Sequence, residues 1–224
     1  LRIDLGRRIS ILTYPRTESD FIQKNGSKTD YFKGMTAKQF SERFDSAVTV
    51  NASPFAGKGH SSLSLLFSAR KIIGIHVAEK KMLSPPVPRY GAAAFKKDGA
   101  GWKGKIFRRQ DEDDFSEYDF AFGGFFTILA NGEKEKFRWQ SKDSRTAAGL
   151  SADGKTLYLL AVEGERRKTS TGLSYPECAD ILIALGATDA LQLDGGHSTA
   201  LYINKKNALS YSSSLKNAVF IGFK

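Results

Sequence analysis

The sequence predicts an α+β fold, a mixed and largely antiparallel sheet with packed helices, in a single domain over residues 1–224. Three observations carry that expectation. Asp98-Gly99, Asn131-Gly132 and Asp153-Gly154 each follow an apolar run, and two-residue Asx-Gly pairs suit type I′ turns, where both central residues take positive φ. Thr36-x-x-Gln39 and Ser174-x-x-Glu177 are capping-box patterns that open helical apolar spacing. Short apolar runs at 190–193, 200–203 and 218–223 read as strands.

Each element follows from its residues. The run 92–95 precedes Asp98-Gly99; runs 125–130 and 136–139 flank Asn131-Gly132; runs 147–150 and 157–162 flank Asp153-Gly154. The first helix carries Phe40 and Phe44 at helical spacing. The second has Pro176 in its first turn, where a missing N–H costs nothing. Its Cys178, Ile181, Leu182 and Leu185 are expected to form one apolar stripe, and Gly186 suits the residue just past its end. The polar stretches 24–33 and 205–216 are expected to be loops.

The chain has 224 residues, 41% hydrophobic and 12% aromatic, enough for one core without a disulfide or structural metal. With a single cysteine, Cys178, no intrachain disulfide forms. A net charge of +10 favours anionic partners. The cations are scattered in pairs such as Arg7-Arg8, Lys80-Lys81 and Arg166-Arg167, whereas a nucleic-acid binder concentrates them; no specific nucleic acid is expected. No stretch reaches the roughly 20 apolar residues of a membrane span, and the start at Leu1 leaves room for a trimmed leader or membrane tether.

The chemistry concentrates in Leu191-Gln192-Leu193-Asp194-Gly195-Gly196-His197-Ser198-Thr199. A buried strand runs into a carboxylate, two glycines and a polar triplet. Gly195 and Gly196 allow a sharp bend with N–H groups close to a ligand, and such groups with Ser198 and Thr199 hydroxyls suit phosphate or sugar oxygens. Taken alone, the segment fits an ordinary Asp-Gly-Gly hairpin turn equally well.

Its context is an ordered set of segments. Val162-Glu163-Gly164-Glu165, Ser170-Thr171-Gly172-Leu173, the helix ending Leu185-Gly186-Ala187 and the Asp194 segment occur in that order. Upstream stand Val50-Asn51-Ala52-Ser53-Pro54-Phe55 and Ser144-Arg145-Thr146-Ala147-Ala148-Gly149. Together they resemble the phosphodiester glycosidase family, and its bacterial exopolysaccharide-associated branch, from about Val48 onward; residues 1–45 are poorly covered. Three departures bear on substrate and activity. His197 replaces a third glycine, Thr199 a second serine, and Glu163-Gly164-Glu165 an Asp-Gly-Arg.

The resemblance implies a hydrolase that splits a sugar-1-phosphodiester, extracytoplasmic and acting on a phosphorylated carbohydrate or anionic glycan. Asp194 would then meet the anomeric carbon, with Glu163 or His197 handling the proton. Arg145 would grip phosphate through its planar fork. Asn51, Ser198 and Thr199 would hydrogen-bond sugar hydroxyls. A turn or cap role for Asp194, a surface salt bridge for Arg145 and a solvated charge for Glu163 beside Arg166-Arg167-Lys168 are the plain alternatives. His60 and His76 stay unassigned. No cofactor is implied. The acidic run Asp111-Glu112-Asp113-Asp114 lacks the glycine and distal glutamate of an EF-hand loop, so it reads as solvated while leaving calcium open. A non-catalytic glycan-phosphate binding module on the same fold is the rival reading.

Overall fold

The computed structural model describes residues 1–57, 68–137, 140–164, 169–211 and 214–224. His60, Trp139, Glu165 and Arg166-Arg167-Lys168 of the sequence analysis therefore lie outside the described residues.

Among the described residues the strands form four sheets, and every pairing is antiparallel. The largest runs in the order β1 (Arg2–Asp4), β16 (Thr156–Val162), β15 (Arg145–Leu150), β17 (Asp189–Gln192), β13 (Phe126–Ala130), β14 (Glu133–Lys134). A second runs β11 (Gly101–Phe107), β10 (Ala92–Asp98), β12 (Phe120–Gly123), β8 (His76–Ala78), β9 (Lys81–Ser84). A third runs β19 (Lys206–Asn207), β18 (Leu201–Ile203), β5 (Val48–Asn51), β20 (Phe220–Phe223), β2 (Ile11–Tyr14). The smallest runs β3 (Phe21–Lys24), β4 (Ser27–Lys33), β7 (Ala69–Ile72), β6 (Phe55–Gly57). With only α1 (Ala37–Arg43) and α2 (Tyr175–Ala184) as α-helices among the described residues, the architecture is mostly β. The α+β expectation is corrected accordingly: both expected helices form, but strands make up most of the regular structure among the described residues.

The caps form as their residue types dictate. Thr36 Oγ1 accepts the Gln39 N–H at 3.2 Å while Gln39 Oε1 accepts the Thr36 N–H at 3.0 Å. Ser174 and Glu177 repeat the exchange at the start of α2. Each box satisfies two donors that an open helix end would leave unpaired. Helix α1 buries Phe40 against Phe220, with ring centroids 5.4 Å apart. Helix α2 buries Cys178, Ala179 and Leu182 against Ile128, Leu129, Ala147 and Ala190 of the large sheet. A fully buried Leu or Phe contributes about 1.5–3 kcal/mol. The expected stripe is partly corrected, since Ile181 and Leu185 are exposed. The buried face runs through Cys178, Ala179 and Leu182 instead.

Of the three Asx-Gly turns, Asn131-Gly132 behaves as expected, with φ of 52° and 81° between Ala130 and Glu133. Its partner strand is Glu133–Lys134, closer to the turn than the 136–139 run. At the first pair the turn slides to Gly99-Ala100, because Asp98 is still paired with Gly101. At the third only Gly154 has positive φ. Residues 24–33 are no loop: Asn25-Gly26, at φ 52° and 76°, closes a hairpin of β3 and β4. Glu79-Lys80 and Asn204-Lys205 make the same turn, also with both φ positive. β19 likewise interrupts the expected 205–216 loop.

The segment leading into β15 is held by a close backbone approach. Gly172, at φ +77°, lies so near Asp143 that an added Cβ would sit 1.9 Å from the Asp143 carbonyl oxygen. Asp143 and Leu173 exchange backbone hydrogen bonds there, at 3.3 and 3.1 Å. Gly172→Ala is expected to cost about 3 kcal/mol or more in urea unfolding, because it adds a backbone clash to a left-handed φ. Gly132→Ala, with φ +81° but open space around it, should cost only about 1 kcal/mol.

Candidate active site

Strand β17 lies between β15 and β13 at the centre of the large sheet and ends at Gln192. The chain then changes sheets. Leu193 N–H donates to Thr146 O of β15 at 2.9 Å, and the next residue, Asp194, donates to Ala52 O just past β5 at 2.9 Å. Asp194 therefore stands at the junction of two sheets.

The turn after it is tied down at each step. Gly196, at φ +56°, donates its N–H to Ser144 O at 2.9 Å. A Cβ on Gly195 would come within 2.9 Å of the same Ser144 oxygen, so a larger residue would lift the turn off β15. Residues Gly196–Ser198 form one turn of 3-10 helix, with His197 exposed and Ser198 and Thr199 buried. Asn217 Nδ2 donates to Ser198 O at 2.8 Å.

Asn51 holds the junction together. Its Nδ2 donates to Asp194 O at 2.6 Å, and its Oδ1 accepts from Thr146 Oγ1 and Ala200 N–H, both at 2.9 Å. At 1% exposure, the amide serves the protein. The expected contact of Asn51 with sugar hydroxyls is corrected on that ground: it is a positioning residue.

Burial pushes the Asp194 carboxyl up to about 6, although the Ser198 hydroxyl and the Gly195 N–H both hydrogen-bond its charged form. The energetic cause is the loss of water around a charge. Nearby polar atoms are also left without partners among the described residues: Ser53 Oγ, Gln192 Oε1, Thr199 Oγ1 and Asn217 Oδ1. All four belong to segments hydrogen-bonded to or continuous with the Asp194 turn. A buried polar atom without a partner costs about 1–3 kcal/mol.

Arg145 opens β15 and is 6% exposed. Its Nε donates to Leu173 O at 3.0 Å, Nη1 to Tyr175 OH at 3.0 Å and Nη2 to Ser141 O at 2.9 Å, with the guanidinium 4.0 Å from the Tyr175 ring centroid. Three of its N–H donors are thus spent on protein oxygens. This corrects the picture of an open fork waiting for phosphate: the side chain braces the start of α2, and no carboxylate pairs with it among the described residues. Its unneutralised charge still raises the positive potential beside the Asp194 turn.

Glu163 follows β16, and its carboxylate accepts from the backbone N–H and hydroxyl of Ser210. The next N–H, of Gly164, donates to Ser144 Oγ at 2.8 Å. Ser144 thereby links the Glu163 corner to the Asp194 turn. Cys178 is buried under α2, which pushes its thiol up to about 12. His76 is fully buried in the second sheet, with one ring nitrogen 2.8 Å from Pro15 O. The acidic run is occupied locally, Asp111 by Arg109, Asp113 by Lys105 and Asp114 by capping Ser116. No cluster of three or more His, Cys, Asp or Glu suited to a metal occurs among the described residues, and no helix there is long and apolar enough to cross a membrane.

The structure thus brings together Asp194, Gly195, Gly196, His197, Ser198, Thr199, Asn51 and the backbone of Arg145. Sequence reasoning assigned no role to Thr146, Ser144, Ser53, Gln192 or Asn217. Ser144 and Thr146 lay in a motif that had been noticed, whereas Asn217 carried no local signal.

A family model for phosphodiester glycosidases matches residues 44–222. The chain belongs to the phosphodiester glycosidase family. At that level it is a glycosidase-type hydrolase domain. Solved structures share its fold at low identity. The catalytic domain of zebrafish N-acetylglucosamine-1-phosphodiester alpha-N-acetylglucosaminidase, auto-inhibited by its pro-peptide, superposes with TM-score 0.67 at 15% identity, covering 96% of this chain and 72% of that one. A hypothetical protein from Synechocystis gives 0.68 at 15%, covering 99% of this chain and 58% of its own. A protein from Burkholderia pseudomallei gives 0.73 at 13%, covering 99% and 72%. Comparison with curated proteins finds no significant match. The phosphodiester glycosidase match includes every expected site residue, from Asn51 to Thr199.

The raised carboxyl has a consequence for stability. Its folded value, about 6, lies above the ordinary 3.8, so folding favours the protonated form. The penalty for holding the charge is absent below about pH 4 and complete above about pH 6, where it reaches roughly 3 kcal/mol. Asp194→Asn is therefore expected to raise the melting temperature at pH 7 and to lose that gain at pH 4. The gain should fall short of the full figure, since the new NH₂ faces two donors.

Proposed function

We propose that this phosphodiester glycosidase domain hydrolyses the bond between the anomeric carbon of a sugar and a phosphodiester, on an extracytoplasmic glycan or wall polymer. The observation that carries the reading is Asp194: a largely buried carboxyl past a strand end, on a glycine turn at the junction of two sheets. Family membership supports the reaction class, and the net charge of +10 favours an anionic substrate.

In this reading the Asp194 carboxylate meets the positive charge that develops at the anomeric carbon, either as nucleophile or as its electrostatic partner. The departing phosphate monoester is a weak base, so little general-acid help is needed. Water then completes the hydrolysis. Ser198 Oγ–H and the Gly195 N–H hold the carboxylate in place. His197, exposed on the turn, is the group in position to exchange a proton with incoming water. Glu163 is not free to do so while Ser210 holds its carboxylate.

That engagement of Glu163 also favours a second reading, a glycan-phosphate binding module without turnover. Release of free sugar from N-acetylglucosamine-1-phospho-methyl-mannoside, followed by NMR, separates the two. We expect release by the parent, with kcat/KM at least about 1000-fold lower in Asp194→Asn. The rate should rise with pH through about 6 as the carboxyl ionises, then level off. Undiminished hydrolysis by folded Asp194→Asn removes this mechanism, and binding with no product favours the module.

A further inference from the structure

Outside the Asp194 turn, the strongest unexplained feature is a row of partly exposed aromatic side chains. Tyr90, Phe125, Phe126, Phe137 and Tyr175 are each only partly buried. They touch in succession: Tyr90 and Phe125 centroids lie 5.5 Å apart, Phe125 and Phe126 6.4 Å, Phe126 and Phe137 5.3 Å, and Phe126 and Tyr175 4.9 Å. The row ends on Arg145, stacked 4.0 Å from the Tyr175 ring centroid.

Two facts join this row to the candidate site. Phe125 N–H donates to Gln192 O at 2.8 Å, and Phe126 pairs with Gln192 across β13 and β17, two residues before Asp194. At the other end, Arg145 belongs to the backbone segment on which the Asp194 turn sits: Gly196 N–H bonds to its neighbour Ser144. A surface cavity of about 400 Å³ opens at Phe126 and Phe137 of the row and is also lined by Arg108, Arg109, Glu112, Glu135 and Lys136. Arg108 pairs with Glu135, and Arg109 pairs with Asp111 through both its Nε and an Nη.

This combination has a specific chemistry. Aromatic faces accept the C–H groups of a pyranose ring, whose axial hydrogens form an apolar patch. Planar guanidinium and carboxylate groups held in pairs offer donor and acceptor together, as vicinal hydroxyls require. The lining sets Arg108, Arg109 and Lys136 against Glu112 and Glu135, so most of its positive charge is offset. The length of the row suits several linked sugars better than one.

We propose that the row from Tyr90 to Tyr175 is a glycan-binding track that holds an oligosaccharide chain leading into the Asp194 site. The proposal deepens the reading of the substrate given above, making it a chain rather than a lone sugar diester. Its test does not depend on turnover.

Binding of chitopentaose and of mannopentaose to the intact chain is measured by calorimetry, for the parent, Tyr90→Ala and Phe137→Ala. Binding of at least one pentasaccharide is expected, weakened about tenfold by each substitution, with thermal melting confirming that each variant is folded. Hydrolysis of N-acetylglucosamine-1-phospho-methyl-mannoside should be unchanged in both variants, because that substrate is too short to reach the track. No binding of either pentasaccharide, or binding indifferent to both substitutions in folded proteins, overturns the track. Should a variant fail to fold, Tyr90→Leu and Phe137→Leu replace it, keeping apolar volume while removing the ring face. Pentasaccharide binding that obeys the track in a parent that releases no sugar would contradict the hydrolase reading and leave the track standing.

Discussion

The candidate site depends on one amide. Asn51 sits at the end of a strand of one sheet and reaches a threonine of another, the carbonyl of Asp194 and the N–H of Ala200. A carboxylate at the junction of two sheets would otherwise be free to shift with either of them. Because both ends of the Asn51 amide are used, the junction has one geometry. Isosteric replacement by aspartate would put a charge against the Asp194 carbonyl, and a smaller residue would strand three buried polar groups. The turn beyond it is then fixed by backbone alone, through Ser144 and the close approach of Gly195.

The same burial that places Asp194 accurately makes its charge expensive. Two hydrogen bonds support the carboxylate and do not fully offset the lost water. Unpartnered polar atoms on Ser53, Gln192, Thr199 and Asn217 add to the cost. Apolar groups of the same shape in their place would avoid that cost. Three Arg145 donors go to two carbonyls and a tyrosine hydroxyl, which fixes the segment that carries the Asp194 turn.

What could be read from the sequence was local. Capping boxes at Thr36 and Ser174 and the Asn131-Gly132 turn involve residues three or fewer apart, and all three formed. The glycine turn at 194–196 was legible for the same reason. Glu79-Lys80 and Asn204-Lys205 turns were missed because Lys at positive φ is set by strand register rather than by its own preference. The strand share was underestimated because a helix announces itself in one segment, whereas an edge strand such as Arg2–Asp4 is defined only by its distant partner Thr156–Val162. The role of Asn51 was misread for that reason too: its partners lie 95, 143 and 149 residues away. Arg145 was read from its charge, and only the folded chain places carbonyls of Leu173 and Ser141 around it.

Asp194 is held at a sheet junction dry enough to change its chemistry. The most direct measurement is the carbon-13 NMR titration of the Asp194 carboxyl in the intact chain, assigned by its loss in Asp194→Asn. A midpoint near 6, well above the ordinary 3.8, is the expected result. A midpoint near 4 would mean that the carboxyl is solvated like a surface aspartate, and would contradict the site as described.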